Sequence, residues 1–255
     1  MILTVDGVDV HYAMAGHGPP LVLLHGSTTV NQFDWQRQLP ELHEFQRIMI
    51  TFRGHGTSGT NGHDLRCERF IDDILAVLDH HGLRRVLVLA FSHGTMVATR
   101  LALVAPDVVK ALGLVSFIPR VTPHLEQRML TVFDSWPTWV DQLHTPRYAP
   151  GHWRELMRAL LEDRRRSGSF LPEELDRVRC PVLLVQGDRD PFLPLSEAAY
   201  SIESWSAAKL FVVPGAGHAV QRQQPGLVNP VLVNFLAEHR ERVAGGSGAL
   251  GCHGA

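Results

Sequence analysis

The segment Val86-Leu87-Val88-Leu89-Ala90-Phe91-Ser92-His93-Gly94 is the strongest indication of the fold. Its first six residues are apolar without alternation, which is typical of a strand buried on both faces of a parallel sheet. A helical pattern of apolar residues follows from Met96 and ends before Pro106. This order predicts a buried strand that turns sharply into a helix.

The combination of a buried strand and a helix recurs on both sides of this segment. Continuous apolar runs of similar length predict further buried strands at residues 20–24, 47–51, 111–115, 182–185 and 210–213. Helical spacing of apolar residues lies between or after them, at residues 70–78, 96–104 and 227–243. An Asp6-Gly7 pair between two short β-prone runs predicts a hairpin at the start of the chain. The alternation predicts an α/β fold with a mostly parallel, doubly wound sheet.

Residues 117–177 break this alternation, because they are rich in proline and aromatic residues. We expect two or three helices there, around 125–134 and 152–166, as an insertion over the sheet. The predicted organisation is one discontinuous core of residues 1–116 and 178–244 with a small helical cap at 117–177. The last residues, 245–255, are rich in glycine and are predicted to be disordered.

Composition excludes several classes of protein. The chain has 255 residues, of which 45% are hydrophobic, and a formal net charge of −2. Such a chain is neither intrinsically disordered nor a dedicated basic binder of nucleic acid. Apolar runs are too short to span a bilayer, no basic leader is evident, and the three cysteines form no C-x-x-C pair. We therefore expect a cytoplasmic protein whose partner is a small molecule, without nucleic-acid or membrane binding; the oligomeric state stays open.

Ser92 is the leading candidate for a nucleophile. A serine at a sharp strand-to-helix turn is held in a strained conformation that projects its hydroxyl from the carboxyl edge of the sheet. Small residues are needed two positions before and after it, and Ala90 and Gly94 meet that need. The alternative is an ordinary serine that caps the following helix.

A serine hydroxyl needs a base, and the base needs an acid that orients it. His218 follows the apolar run 210–213 in a loop of small residues, so it is the candidate base. Two candidate acids, Asp188 and Asp190, follow the run 182–185. The backbone N–H groups of Ser27 and His93 are candidates for an oxyanion hole, since both follow strand ends. His25 is interpreted as structural.

Five motifs together resemble the α/β-hydrolase superfamily, in particular its small capped esterases, lactonases and C–C hydrolases. They are His25-Gly26-Ser27, the loop 53–59, the Ser92 turn, Gly187-x-x-Asp190-x-x-x-Pro194 and Gly217-His218, and the resemblance runs from Leu3 to Glu238. It implies that the acid lies three residues after Gly187, which selects Asp190. It also argues against haloalkane dehalogenases and epoxide hydrolases, which carry Asp at the position of Ser92.

The resemblance implies a serine hydrolase that cleaves a carboxylic ester, lactone or thioester through an acyl-enzyme, without a metal or organic cofactor. The cap of this family lines the substrate pocket, so an apolar or aromatic substrate is expected. The candidate pocket residues are Thr28, Phe117, Trp136, Trp139 and Trp153. An equally weighted alternative is that the three tryptophans only pack the cap onto the core.

Three other functions remain open at this point. A C–C bond hydrolase of β-diketones would use the same triad. A cofactor-independent quinolone dioxygenase has a similar Ser-His-Gly turn, but residues 111–119 offer Ser116 where that enzyme carries its acid. A non-catalytic ligand receptor on the same fold is the third alternative.

Overall fold

The computed structural model describes residues 1–62, 64–133, 139–167 and 169–243. Trp136 and the segment 245–255, about which the sequence makes predictions, lie outside the described residues. The described residues form an eight-stranded sheet from β1 (Ile2–Val5), β2 (Val8–Ala15), β3 (Pro20–Leu24), β4 (Gln46–Ile50), β5 (Val86–Phe91), β6 (Val109–Val115), β7 (Val182–Gly187) and β8 (Ala208–Val213).

The strands lie in the order β1-β2-β4-β3-β5-β6-β7-β8. Pairing is antiparallel between β1 and β2 and between β2 and β4, and parallel from β4 through β8. Asp6 and Gly7 both have positive φ, 48° and 74°, which is the geometry of the tight hairpin turn predicted there. The predicted mostly parallel sheet is therefore confirmed.

Helices lie on both faces of this sheet. They are α1 (Asn31–Asp34), α2 (Cys67–His80), α3 (His93–Val104), α4 (Pro123–Phe133), α5 (Trp139–Gln142), α6 (His152–Ser167), α7 (Pro172–Leu175), α8 (Leu195–Ser204), α9 (Val220–Gln223) and α10 (Pro225–His239), with a short 3₁₀ turn at Arg240–Arg242. None of the described helices is both long and apolar enough to cross a membrane.

Successive residues of one strand feed two separate hydrophobic cores. Val22 of β3 packs in the core that α2 and α3 cover, whereas its neighbour Leu21 packs in the core that α10 covers. Side chains of a strand alternate between faces, so a strand buried on both faces must be apolar throughout. This explains why the central runs carry no polar alternation.

The strand β8 departs from this prediction. Leu210 and Val212 are each 37% exposed. The expectation of burial on both faces is wrong for this run, because β8 is the last strand of the sheet, where the covering layers end.

The segment 117–177, which we call the inserted segment, connects β6 to β7 and contains α4, α5, α6 and α7. Its two main helices, Pro123–Phe133 and His152–Ser167, lie where helices were predicted, with ends that differ by at most two residues. The loop 53–59 approaches it from the core. That loop begins at Arg53, whose buried guanidinium donates two hydrogen bonds to Asp73, at 2.8 and 2.6 Å.

Candidate active site

Ser92 occupies the turn between β5 and α3. Its backbone has φ 50° and ψ −115°, a conformation that residues other than glycine rarely adopt. The side chain makes no capping hydrogen bond to the helix, contrary to what a helix-capping serine would show. A Cβ at Gly94 would lie 2.7 Å from the carbonyl oxygen of His25, so the close approach of α3 to β3 requires glycine there. The backbone therefore directs the Ser92 hydroxyl away from the helix.

The hydroxyl of Ser92 lies 2.9 Å from Nε2 of His218, and Nδ1 of His218 lies 2.8 Å from Oδ2 of Asp190. The Asp190 side chain is fully buried, while that of His218 is 20% exposed. The three side chains thus form one continuous hydrogen-bonded row at the carboxyl edge of the sheet. With Asp190 ionised, the Nδ1–H tautomer of His218 places the Nε2 lone pair toward Ser92.

Asp190 is held as an anion despite its burial. Burial raises its pKa, but the facing His218 and the backbone N–H groups of Phe192 and Leu193 outweigh that effect, and the pKa is lowered from 3.8. Gln186 donates a further hydrogen bond to Oδ2. The competing residue Asp188 points elsewhere and accepts the N–H of Gly215 at 2.6 Å. Of the two candidate acids, only Asp190 contacts His218.

The loop that carries His218 is fixed from two sides. A Cβ at Gly187 would lie 2.3 Å from the carbonyl oxygen of Ala216, so the end of β7 and this loop are in direct contact. The hydroxyl of Ser116, after β6, donates a 2.6 Å hydrogen bond to the carbonyl of His218. In the sequence, Ser116 was notable only because no carboxylate stands at its position. Its hydrogen bond to the loop that carries His218 was not predicted.

The loop after β3 brings Ser27 next to this row. Asp34 accepts the N–H of Gly26, and His144 of the inserted segment donates to the carbonyl of Thr28 at 2.9 Å while accepting the N–H of Gly56 at 3.0 Å. Among the described residues, the backbone N–H groups of Ser27 and His93 donate to no protein acceptor. Neither N–H group is therefore engaged by an acceptor of the described protein, and Ser27 itself lines the cavity next to Ser92 and His218.

The side chain of His93 faces the inserted segment rather than the reacting groups. Its Nδ1 accepts a hydrogen bond from Arg164 at 3.2 Å, and its ring packs edge-on against Phe52 and Phe70. Burial lowers the pKa of His93 well below 6.5, with the nearby guanidinium adding to the effect. His93 is a neutral hydrogen-bond acceptor at physiological pH.

A cavity of about 320 Å³ opens in front of Ser92 and His218. Its walls are mainly apolar and include Phe33, Phe91, Leu125, Met129, Met157 and Phe192. Thr28 and Trp139, both candidates from the sequence, also line it.

Phe117 and Trp153 do not line this cavity. Phe117 is buried against Phe170 and Trp205, with ring centroids 5.8 and 5.6 Å apart. Trp153 is 1% exposed within the hydrophobic core, and the guanidinium of Arg154 lies over its ring. Both side chains are buried in a hydrophobic core and not in the cavity wall. The expectation that they bind substrate is therefore wrong for these two residues.

Arg164 of α6 lines the cavity and was not among the sequence candidates. A signal for it existed, since Met157, Leu160, Leu161 and Arg164 follow one another at helical spacing and are all buried. The following two residues are also arginines, which hid the one that continues the buried stripe. Within the described ranges, no group of three His, Cys, Asp or Glu side chains is arranged to hold a metal ion.

The sheet order and the row from Ser92 to Asp190 define the class of protein. A model of the alpha/beta hydrolase family matches residues 21–231, most of the chain, so the chain belongs to that family. The prediction of an enzyme of this class is confirmed at the level of the family.

Three similar proteins extend this result. A protein of Caulobacter sp. (strain K31) named "Putative carbamate hydrolase RutD" is 27% identical, with 92% of this chain and 97% of that protein covered. A non-heme haloperoxidase of Rhodococcus erythropolis is 26% identical, covering 91% of this chain and 97% of that protein. The crystal structure of MGS-M2, an alpha/beta hydrolase from a Medee basin deep-sea metagenome library, has a TM-score of 0.80 at 16% identity, with 93% and 97% of the two chains covered. At that identity the structural likeness shows the fold alone.

Proposed function

We propose that this protein is a serine hydrolase that cleaves a carboxylic ester, lactone or thioester. The observation that carries the proposal is the continuous row of hydrogen bonds from Ser92 through His218 to Asp190. Ser92 is the nucleophile, His218 the general base and then acid, and Asp190 the group that orients His218 and stabilises its charged form. The positive φ of Ser92 supports this role, because it presents the hydroxyl to the cavity instead of to the helix.

In the first step, the Ser92 oxygen bonds to the carbonyl carbon of the substrate while its proton passes to Nε2 of His218. The carbonyl oxygen becomes an oxyanion that accepts hydrogen bonds from the N–H groups of Ser27 and His93. As the intermediate collapses, the bond to the leaving group breaks and His218 delivers the proton to it. His218 then takes a proton from water while the water oxygen bonds to the acyl carbon. As this second intermediate collapses, the bond between the acyl carbon and Ser92 Oγ breaks, His218 returns the proton to Oγ, and the acid is released.

The inserted segment is proposed as the cap that shapes the substrate pocket. Leu125, Met129, Trp139 and Met157 of this segment line the cavity together with the core residues around Ser92. Their apolar character supports a substrate with an apolar or aromatic portion. The two curated relatives bear names for different reactions, so the substrate class rests on the site and not on those names.

The test is a panel of 4-nitrophenyl esters, a γ-lactone and a ring-cleavage diketone, assayed with wild type, Ser92→Ala and Ser196→Ala. Ser196 is exposed on α8 and serves as the matched control. We expect Ser92→Ala to lower kcat/KM by about 10³-fold or more, because no other group supplies the nucleophile. Ser196→Ala should retain the wild-type value. Full activity of Ser92→Ala on a substrate that wild type turns over would overturn the proposal.

The same panel, extended by a hydroxyquinolone and by the variant His218→Ala, separates the alternatives. Turnover of the diketone but not of the esters would indicate a C–C hydrolase. A dioxygenase would consume oxygen in the presence of a hydroxyquinolone. Its rate of oxygen consumption would change little in Ser92→Ala and fall strongly in His218→Ala. The contact between Asp190 and His218 speaks against that chemistry, because in the dioxygenase family the acid follows the strand where this chain has Ser116. Tight binding without any turnover would indicate a receptor.

A further inference from the structure

The cavity contains one fully buried cation that the proposed reaction does not use. Arg164 of α6 is 1% exposed and lines the same cavity as Ser92. Its Nη2 donates to Ser27 Oγ at 3.0 Å and to His93 Nδ1 at 3.2 Å, and its Nη1 donates to Met129 Sδ at 3.1 Å. The guanidinium therefore lies next to the side chains of the two residues whose N–H groups form the proposed oxyanion hole.

The hydrogen-bonding capacity of Arg164 is only partly used. A guanidinium carries five N–H donors, and in Arg164 three of them bind neutral acceptors, one of which is a weak thioether. The buried Nε–H has no partner. The adjacent carboxylate, Asp163, is turned away and accepts from Arg166 and from the backbone of Cys67. No carboxylate among the described residues forms an ion pair with Arg164.

A second buried arginine shows what this chain does when the charge is structural. Arg53 is as buried as Arg164, and Asp73 accepts from both its Nε and its Nη2. An unpaired buried charge is strongly unfavourable, so a buried arginine normally faces a carboxylate. Burial lowers the pKa of Arg164 to about 10, which still leaves the side chain charged at neutral pH.

We propose that Arg164 binds a carboxylate group of the substrate, so that the natural substrate is a carboxylate-bearing ester or lactone. A guanidinium binds a carboxylate through charge-assisted hydrogen bonds, and the Nε–H of Arg164 has no protein partner that a carboxylate would have to displace. The substrate carboxylate would be the counter-ion of Arg164, as Asp73 is the counter-ion of Arg53. The apolar walls of the cavity would contact the rest of the substrate. This inference rests on the proposed function and narrows its substrate class.

The test uses ester pairs that are matched in shape and differ in charge. The first set is 2-, 3- and 4-acetoxybenzoate against the corresponding acetoxybenzamides, with the charge on the alcohol side. The second is mono-4-nitrophenyl adipate against its methyl ester, with the charge on the acyl side. Rates are normalised to alkaline hydrolysis of each compound. We expect wild type to prefer at least one charged member by about 10- to 100-fold in kcat/KM, the range of a hydrogen bond to a charged group.

Three variants assign the preference. Arg164→Met should bring the charged-to-neutral ratio close to one, and Arg164→Lys should retain part of it through its positive charge. Arg158→Met removes an exposed arginine from the same helix and should leave the ratio unchanged. A merely structural arginine would lower the rates of charged and neutral esters alike, with no change in the ratio. A wild-type ratio near one for both sets, or a preference that persists in Arg164→Met, would overturn the inference.

A binding measurement separates this inference from the proposed function. Calorimetric titration of Ser92→Ala and of the Arg164 variants with the three hydroxybenzoates and hydroxybenzamides needs no turnover. Binding of a hydroxybenzoate that is lost in Arg164→Met, in a protein that hydrolyses no ester, lactone or thioester, would uphold the carboxylate site and refute the hydrolase. Ester hydrolysis that depends on Ser92 without any preference for carboxylate would refute only the site. If Arg164→Met does not fold, the wild-type pairs and Arg164→Lys decide.

Discussion

One wall of the cavity, the sheet-edge wall, consists of residues at the carboxyl ends of β5, β7 and β8. The other, the inserted-segment wall, consists of side chains from α4, α5 and α6. In the first wall, Ser92, Asp190 and His218 are bonded to one another and their loops are fixed by close backbone contacts. In the second wall, Met129 and Trp139 contribute apolar surface, and Arg164 contributes a charge with which no carboxylate of the described residues forms an ion pair.

This contrast shows how the two walls divide the work. In the sheet-edge wall, the side chains of Ser92, His218 and Asp190 are hydrogen-bonded to one another, so their relative geometry is set before a ligand arrives. In the inserted-segment wall, the Nε–H of Arg164 has no partner among the described residues, and we propose that a substrate carboxylate supplies one. We infer that the first wall determines the reaction and the second selects the molecule, a division that substitutions in either wall should expose.

The largest effect is expected at the acid of the sheet-edge wall. Asp190→Asn should lower kcat by about 10³- to 10⁴-fold, because an amide cannot fix the tautomer of His218 or stabilise its charged form. Asp188→Asn is the matched control, two residues away in the same loop, and should stay within about 5-fold, since an asparagine oxygen still accepts the N–H of Gly215. Steady-state kinetics on one ester measures both. Equal losses in the two variants would contradict the assignment of Asp190.

A smaller effect is expected where the inserted segment contacts the loop that carries Ser27. His144→Phe removes the hydrogen bonds to Thr28 and Gly56, and should lower kcat/KM by about 10- to 100-fold through displacement of the oxyanion N–H. His144→Gln can donate and accept in the same places, and it should retain most of the activity. Unchanged kinetics in His144→Phe would show that the sheet-edge wall keeps its geometry without the inserted segment.

The smallest effect concerns acid sensitivity of that same contact. Burial lowers the pKa of His144 from 6.5 in the folded protein, and its Nδ1 already accepts the N–H of Gly56. The unfolded chain therefore binds the proton more readily, so this contribution to stability is complete above about pH 6.5 and is lost as the pH falls below it. The rings of His55 and His152 lie 5.9 and 6.1 Å away, and burial also lowers the pKa of His55, to about 4.

The measurement is the free energy of unfolding between pH 7.5 and 5.5. Wild type should lose more stability over this range than His144→Gln, which has no titrating group at that position. His43→Gln replaces an exposed histidine and should follow the wild-type curve. Parallel curves for wild type and His144→Gln would show that protonation of His144 is not coupled to unfolding.

The sheet-edge wall could be predicted from the sequence because its positions follow from backbone rules. Continuous apolar runs indicate buried strands, and polar residues that can act in catalysis follow the ends of those strands. Ser92 and His218 could therefore be predicted from the pattern alone. Asp190 could be chosen over Asp188 only through the resemblance to a family, because both follow the same strand. The geometry now distinguishes them by the direction of their side chains.

The second wall could not be predicted in the same way. Which face of a helix in the inserted segment turns inward depends on tertiary packing, and aromatic character alone did not separate Trp139, which lines the cavity, from Trp153, which does not. Arg164 lies in a run of three arginines, and only its place on the buried stripe of α6 distinguishes it. Ser116 and His144 act through hydrogen bonds to backbone groups, for which the sequence carries no signal.

Ser92 is the residue on which the whole mechanism depends, and covalent labelling tests its role without any knowledge of the natural substrate. Wild type and Ser92→Ala are treated with a fluorophosphonate, and the adduct is located by mass spectrometry of the digested protein. We expect one adduct, on the peptide that contains Ser92, which is absent from Ser92→Ala and strongly reduced in His218→Ala. An adduct on another residue, or labelling that persists in Ser92→Ala, would contradict the assignment of Ser92 as the activated nucleophile.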